Sequence, residues 1–215
     1  MRSDGKSFNQ INRQLGVPKS TLSGWFRNDS NSTELKKILT IVAQKNATKQ
    51  LRIMALANKK KWAKINEGYR NVAVEEFDHL KNNELFISGV VIYWGEGDKV
   101  LKNSKVRVSN VDFRMLKTFV FFLKECCHIP KRSIKAVLLL YPDLDDSRSK
   151  KYWSRSIGIP LSLFGKSQYI QGREKKKRLS YGVCTVSVCS RELKEKVIKW
   201  IVLLYNHQVD NAGIV

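Results

Sequence analysis

Acidic residues are scarce in this chain. Nineteen Asp and Glu stand against forty Lys and Arg, so the formal net charge is +21 at pH 7. The excess is spread along the chain, because residues 1–80 already hold fifteen basic and seven acidic residues. Such a charge favours a polyanionic partner, and nucleic acid is the first to consider. A merely soluble basic surface and an acidic membrane are the alternatives, but neither terminus carries an amphipathic or polybasic anchor.

Cysteine and histidine are also rare. The four cysteines occur as Cys126-Cys127 and as Cys184 with Cys189, and neither pair has the spacing of zinc ligands. The three histidines form no constellation, and the sequence has no P-loop and no nucleophile paired with a base. We therefore expect reduced thiols and no structural zinc.

No apolar run is long enough to cross a bilayer. The longest lie near Phe86–Gly95 and Ala136–Tyr141, whereas a membrane-spanning helix needs about 20 apolar residues. The first ten residues lack the apolar segment of a secretory signal. These absences predict a cytoplasmic protein, and the basic charge predicts association with the nucleoid.

Residues 7–27 have the pattern of two short helices joined by a turn. Ile11 and Leu15 share a helix face, the pair Gly16-Val17 predicts a sharp turn, and Pro18 suits the first turn of a new helix. In the second helix, Leu22, Trp25 and Phe26 repeat at helical spacing and are predicted to bury against the first.

The second helix leaves a small polar face exposed. Its side chains can donate hydrogen bonds to phosphates and base edges, and they are Lys19, Ser20, Thr21, Ser23 and Arg27. The segment LGVPKSTLSGWFR resembles the helix-turn-helix of resolvases and many phage regulators, which implies docking in a DNA major groove. The alternative is a structural pair of helices without DNA contact.

Proline is absent from residues 33–82, and glycine occurs there only as Gly68. Leu, Ile, Ala, Lys and Glu dominate, so one or two helices are predicted. Lys45–Arg70 is basic and poor in large apolar residues. We interpret it as a helical connector that is either solvated or close to DNA phosphates.

The rest of the chain alternates between helical and strand patterns. The predicted elements are helix Glu84–Gly95, strand Ser104–Ser109, helix Asp112–Cys127, strand Ser133–Tyr141, helix Asp145–Gly158, a hairpin of Ser167–Gln171 with Tyr181–Cys189, and helix Arg191–Asn206. This mixture predicts the α+β class. The predicted domains are a helix-turn-helix bundle over 1–32, a basic helical connector over 33–82 and an α+β domain over 83–215.

The strands predict one basic sheet face opposite an apolar face. With a period of two, polar side chains fall on one side, namely Lys105, Arg107, Ser109, Tyr169, Gln171, Arg173, Thr185 and Ser187. A solvated face normally mixes both signs of charge, and this one contains no acid, which favours DNA. The tip of the hairpin adds a predicted phosphate clamp of Arg173, Lys175, Lys176, Lys177 and Arg178, with a solvated tip as the alternative.

The segment FISGVVIYWGEGDK, residues 86–99, is the best candidate for chemistry. An apolar helix ends at Gly95-Glu96-Gly97, where the helix dipole disfavours a carboxylate by about 0.3–1 kcal/mol. A nearby cation would explain the acid, and it is either Lys99 or a divalent metal. Asp143, Asp145 and Asp146 are a weaker candidate, since Asp is favoured in turns and at helix N-termini.

This segment resembles the LAGLIDADG motif, an apolar helix that ends in a small residue, an acid and glycine. Together with SNVD at 109–112 and YWSRSIGIP at 152–160, it is similar to small bacterial and phage proteins that couple a helix-turn-helix to a LAGLIDADG homing endonuclease-like domain. The resemblance implies an αββαββα domain with an antiparallel, saddle-shaped sheet over the DNA major groove. It also implies a homodimer through helix 84–96, with Glu96 of each subunit holding Mg²⁺ or Mn²⁺ and Lys99 stabilising charge.

The expected function is therefore sequence-specific binding of double-stranded DNA by a homodimeric, Mg-dependent homing-type endonuclease. Some proteins of this kind regulate transcription without cleaving DNA, and in that alternative Glu96 would pair with Lys99. A third possibility is an RNA-binding maturase.

Overall fold

The computed structural model describes residues 1–170 and 179–211. In this part of the chain it contains seven α-helices and one four-stranded mixed sheet, which confirms the α+β class. The chain forms two compact units, Met1–Ala63 and Lys64–Val215. None of the helices within these described ranges is long and apolar enough to cross a membrane.

The first unit begins with two short helices, α1 (Phe8–Leu15) and α2 (Lys19–Trp25). Ser7 and Gln10 form a capping box at the start of α1, and Gly16 ends it with a left-handed φ of 70°. The Asn12 amide then donates to the Val17 carbonyl at 2.8 Å and fixes the turn. The predicted turn at Gly16 is therefore present.

The burial of Trp25 was predicted wrongly. Leu22 is buried, but Trp25 is 67% exposed, and Phe26 is half-buried in a stack against Phe8 at 6.0 Å. The reason is the small size of the unit: Ile11 and Leu22 are the buried hydrophobic side chains of α1 and α2. Two short helices do not provide enough surface to cover an indole at the last residue of α2.

A single helix, α3, runs from Ser30 to Leu80. It has no proline to interrupt it, and its one glycine, Gly68, is tolerated within the helix. In the second unit, Ala73 and Phe77 of this helix are buried in the core, and the Trp200 indole donates to the Ala73 carbonyl at 3.0 Å. The last turns of α3 therefore belong to the fold of the second unit.

The second unit continues with four helices and four strands. They are α4 (Glu84–Glu96), β1 (Lys105–Asn110), α5 (Phe113–Phe121), β2 (Lys135–Leu140), α6 (Asp146–Ile157), β3 (Gln168–Tyr169), β4 (Val183–Cys189) and α7 (Arg191–Asn211). A π-helical turn, Phe122–Cys126, extends α5, and 3-10 turns occur at Lys131–Ser133 and Leu161–Leu163. Most of the predicted elements are present with bounds shifted by a few residues.

The topology differs from the prediction in two ways. The order after α3 is αβαβαββα, which matches the elements predicted from the residue patterns but not the αββαββα order that the resemblance implies, because α5 separates β1 from β2. The sheet order is β1-β4-β2-β3, and β3 is parallel to β2 rather than antiparallel to β4. The predicted hairpin of β3 with β4 is therefore wrong. Its physical reason is that β1 and β2 already occupy both edges of β4, so β3 pairs with the free edge of β2 after the α6 crossover.

The core lies on one face of the sheet. Strand residues alternate, so that Val106, Val108, Leu138, Leu140 and Val186 are buried while their neighbours face outward. Helices α3 to α7 supply more of the core through residues such as Phe77, Phe86, Phe119, Trp153 and Trp200. On the opposite face Lys105, Arg107, Ser109 and Lys135 are exposed, and Val137, Leu139, Thr185 and Ser187 are half-buried.

Helix α4 approaches the π-helical turn very closely at Gly89. A Cβ built at this position would lie 2.0 Å from Cγ of Phe122, a fully buried ring. We expect Gly89→Ala to lower the free energy of unfolding by about 1–3 kcal/mol through overpacking. Denaturant-induced unfolding followed by circular dichroism measures this change.

Gly68→Ala is the matched control, because a Cβ at Gly68 meets nothing within 4 Å and lies in a helix interior. It should leave stability unchanged or raise it by up to about 1 kcal/mol. Equal effects of the two substitutions would contradict the packing argument.

Candidate nucleic-acid interface and acidic centre

The open face of the sheet is basic and polar. In the strand pairing, Arg107 of β1 lies opposite Ser187 of β4, and Ser187 lies opposite Lys135 of β2. These three side chains therefore form one row across three strands. In the next row Ser109 lies opposite Thr185, and their hydroxyl oxygens are 2.8 Å apart. No acidic residue occurs in any of the four strands. The structure thus brings together Lys105, Arg107, Ser109, Thr185 and Ser187, as the alternation predicted.

Lys135 is a member of this face that the sequence reasoning missed. It is exposed at the start of β2 and shares its side of the sheet with Val137 and Leu139. The strand was predicted, but its alternation is hidden because five apolar residues follow Lys135. The signal in the sequence was Lys135 itself, since a residue two positions before Val137 lies on the same face of the strand.

Tyr169 does not lie on the sheet face where it was predicted. Tyr169 is in register with the buried Leu140, whereas Gln168 is in register with Leu139 on the open face. Gln168 therefore takes the place predicted for Tyr169, which is 46% exposed on the other side. The remaining predicted residues lie outside the described part of the chain, and these are Gln171, Arg173, Lys175, Lys176, Lys177 and Arg178.

The C-terminal end of α4 is joined to β1. The Gly97 amide donates to the Tyr93 carbonyl at 2.8 Å, Gly97 bridges Val108, and the Asp98 amide donates to the Arg107 carbonyl at 3.2 Å. A Cβ at Gly97 would lie 2.4 Å from the Tyr93 carbonyl oxygen, so only glycine permits this approach. The acid-glycine ending therefore sets α4 against the strand that carries Lys105 and Arg107.

Glu96 is the last residue of α4 and is exposed. Among the described residues no hydrogen bond or ion pair engages its carboxylate, and Lys99, also exposed, does not pair with it. No group of three or more His, Cys, Asp or Glu that could hold a metal occurs within one copy of the described chain. Glu96 is thus a carboxylate with free coordination capacity at the edge of a cationic surface.

Asp98 is a second carboxylate at this edge, and the sequence reasoning missed it. Its carboxylate accepts the Val100 amide at 3.0 Å and the Asn103 amide at 3.2 Å, and it pairs with Arg107 at 3.2 Å. The hydrogen bond from the Val100 amide is the main cause that lowers the Asp98 pKa, followed by Asn103 and the charges of Lys194 and Arg107. The Asp98 carboxylate therefore stabilises the loop that contains Val100 and Asn103, and it orients the Arg107 side chain.

Below Asp98 lies a buried lysine. Lys194 is 1% exposed, and its ammonium donates to the Tyr93 hydroxyl at 2.7 Å, to the Lys105 carbonyl at 3.2 Å and to the Asp98 carbonyl. Burial lowers the Lys194 pKa, while the Asp98 charge opposes that shift. The Tyr93 hydroxyl also contacts the Asp98 carbonyl, and burial raises the Tyr93 pKa. This network fastens the Gly97-Asp98 segment to the core.

In the first unit the predicted DNA-contacting residues lie on or just after α2. Lys19, Ser20, Ser23 and Arg27 are exposed and Thr21 is half-buried. Three of them line a groove of about 970 Å³ whose other wall is α3, with Lys36, Thr40 and Gln44. No acidic residue is among the described residues that line it. The contribution of α3 to this wall was not predicted.

Comparisons with known protein families, with curated proteins and with solved structures found no match.

The Asp98 contacts predict a change in acid stability. Because the pKa of Asp98 is lower in the folded state, its contribution is present above the ordinary Asp pKa and is lost as pH falls through the folded value. Asp98→Asn should therefore reduce the melting temperature at neutral pH and flatten its dependence on pH below about 4. Thermal unfolding between pH 2 and 7 measures this.

Glu75→Gln is the control, since Glu75 is exposed in the same unit. If this control flattened the profile as strongly as Asp98→Asn, the assignment to Asp98 contacts would be wrong.

Proposed function

We propose that the protein binds double-stranded DNA sequence-specifically and cleaves it as a homodimeric, Mg-dependent homing-type endonuclease. The observation that carries this proposal is the juxtaposition of an acid-free basic sheet face with an exposed, unengaged Glu96 at its edge. In this proposal α1 and α2 act as a helix-turn-helix, and the second unit is a LAGLIDADG-like domain with an altered element order.

The sheet face has the chemistry of a groove-reading surface. Lys105, Arg107 and Lys135 would neutralise phosphates, while Ser109 and Thr185 offer hydroxyls to base edges. On this face Lys105, Arg107, Ser109 and Lys135 are exposed and can reach a duplex. Asp98 acts as a positioning residue, since its ion pair with Arg107 orients the guanidinium on this face.

The geometry supports a metal at Glu96 when two copies combine. Mg²⁺ is typically held by one or two carboxylates together with waters and phosphate oxygens. Glu96 is free to serve, whereas the Asp98 carboxylate already accepts three donors. When bound, the metal would lower the pKa of a water ligand and neutralise charge at the scissile phosphate. Arg107 and Lys105 would bind the flanking phosphates, and Lys99 would add positive charge.

The proposed dimer contact is the outer face of α4. Ser88, Val91 and Gly95 lie at i, i+3 and i+7 and are exposed, and a Cβ at Gly95 would meet nothing within 4 Å. Gly89, in contrast, is used within the chain against Phe122. Small residues along an exposed helix face permit a second α4 to approach closely, which would bring two Glu96 carboxylates together.

Binding through the sheet face should depend strongly on salt. We expect Lys105→Gln, Arg107→Gln and Lys135→Gln together to reduce the slope of log K against log salt by about 2.7, because each phosphate contact contributes about 0.9. Fluorescence anisotropy with duplex DNA between 50 and 200 mM salt measures the slope.

A matched variant with Lys117, Lys131 and Arg132 replaced by Gln removes the same charge from exposed positions outside the strands. An equal reduction in that variant would attribute the effect to net charge and not to the sheet face.

Cleavage is tested by Glu96→Gln, which preserves shape and removes the charge. Cleavage of a selected target in Mg²⁺ or Mn²⁺ should be abolished, while binding in EDTA should be retained or improved because an anion near phosphate is lost. Cleavage on a site selected in EDTA, with metal titrated for both proteins, is the measurement.

Transcription regulation without cleavage is the alternative. In that case neither wild type nor Glu96→Gln would cleave the selected site or respond to metal. That result would reject the endonuclease while leaving DNA binding intact.

A further inference from the structure

Helix α3 is divided sharply by charge. Between Leu35 and Asn66 it carries nine Lys and Arg and no acid, whereas Glu67–Leu80 carries four acids and one arginine. Two of the acids in the second part form ion pairs within the second unit: Glu76 with Lys196 at 2.7 Å and Asp78 with Lys81 at 3.1 Å. Among the described residues, no ion pair involves the cations of the first part.

Five of these cations form one stripe. With 100° of rotation per residue, they fall within about 100° of arc and extend over about 22 Å of helix, and they are Lys45, Lys49, Arg52, Lys59 and Lys60. All five are exposed, and no ion pair to another described residue involves any of them. Lys45, Lys49 and Arg52 also border a shallow surface cavity of about 470 Å³ with Gln44 and Thr48.

The stripe is separate from the groove beside α2. Lys36 lines that groove, and nine residues along a helix turn the chain through 900°, so Lys45 points to the opposite side of α3. None of the five stripe cations lines the groove beside α2, although Gln44 borders both surfaces. The stripe is a second charged surface of the first unit.

We propose that this stripe is a sequence-independent binding surface for the phosphate backbone of nucleic acid. Like charges at i and i+4, such as Lys45 and Lys49, repel one another and destabilise the helix unless an anion lies across them. A row of phosphates satisfies all five cations at once, and Lys and Arg on a helix bind phosphates without reading bases. The inference rests on the proposed DNA binding and adds a second contact to it.

A membrane and a second copy of the helix fit less well. An interfacial helix needs its large apolar residues on one face opposite its basic face, but the exposed Ile41 and Leu56 fall within the arc of the stripe itself. Leu51 and Met54, also exposed, lie on the other side of α3. A second copy of the stripe would bring ten cations together without an acid. Nucleic acid is the polyanion that the charge pattern accommodates.

The test replaces Lys45, Lys49 and Arg52 by Gln, a good helix former. Anisotropy with duplex DNA of random sequence should show a salt slope reduced by about 2.7 relative to wild type, with far-UV circular dichroism unchanged. Three comparison proteins share the assay: wild type, the Lys117, Lys131 and Arg132 to Gln variant, and a charge-conserving variant with Lys45→Arg, Lys49→Arg and Arg52→Lys. The charge-conserving variant should keep the wild-type slope.

Each outcome bears on one proposal. If wild type binds duplex DNA with salt dependence but the stripe variant keeps its slope, the stripe inference is overturned and the proposed DNA binding stands. If wild type shows no salt-dependent DNA binding, the proposed function fails, and the stripe proposal fails with it. If the stripe variant loses affinity for vesicles of anionic phospholipid and retains its DNA slope, the surface binds membrane and the inference is also overturned.

Discussion

The candidate site of the second unit depends on the buried ammonium of Lys194. It joins α7 to three oxygens that lie far earlier in the sequence: the Tyr93 hydroxyl of α4, the Asp98 carbonyl beyond it and the Lys105 carbonyl of β1. Burying a charge is costly unless hydrogen bonds compensate, and here three oxygens do so. Because Asp98 is fixed in this way, Arg107 is oriented by its carboxylate and Glu96 is held at the edge of the sheet.

The same constraint separates the roles of the two acids. Asp98 accepts hydrogen bonds that keep it charged and immobile, so its carboxylate contributes to structure. Glu96, two residues away, lies where the dipole of α4 opposes a negative charge, and no described cation compensates it. The helix dipole disfavours the charge of Glu96, and no contact within the described chain uses its carboxylate. In our proposal its partner lies outside the chain and is a metal ion at a DNA phosphate.

Part of this arrangement was predictable from sequence. Lys105, Arg107 and Ser109 alternate with valines, and such a short-range pattern directly determines which face of a strand is exposed. The pairing of β3 with β2 and not with β4 was not predictable, since partner choice depends on which sheet edges are free. Lys194 was detectable in principle, because it lies three residues before the buried Val197 on the apolar side of α7, but its oxygen partners come from distant segments.

Charge is partitioned between the units in a way that complements this site. In the second unit, Asp146 pairs with Lys150 and Glu195 pairs with Arg70. On the open sheet face only Arg107, among the described residues, has an ion pair, with Asp98. In the first unit, the acid-free part of α3 achieves the same result by composition alone. The two surfaces are therefore cationic for different reasons. Acids of the second unit form ion pairs elsewhere in that unit or with Arg107, whereas the stripe on α3 has no acids in its part of the helix. In our proposal a nucleic acid binds each of these surfaces, since its negative charge repeats along its length.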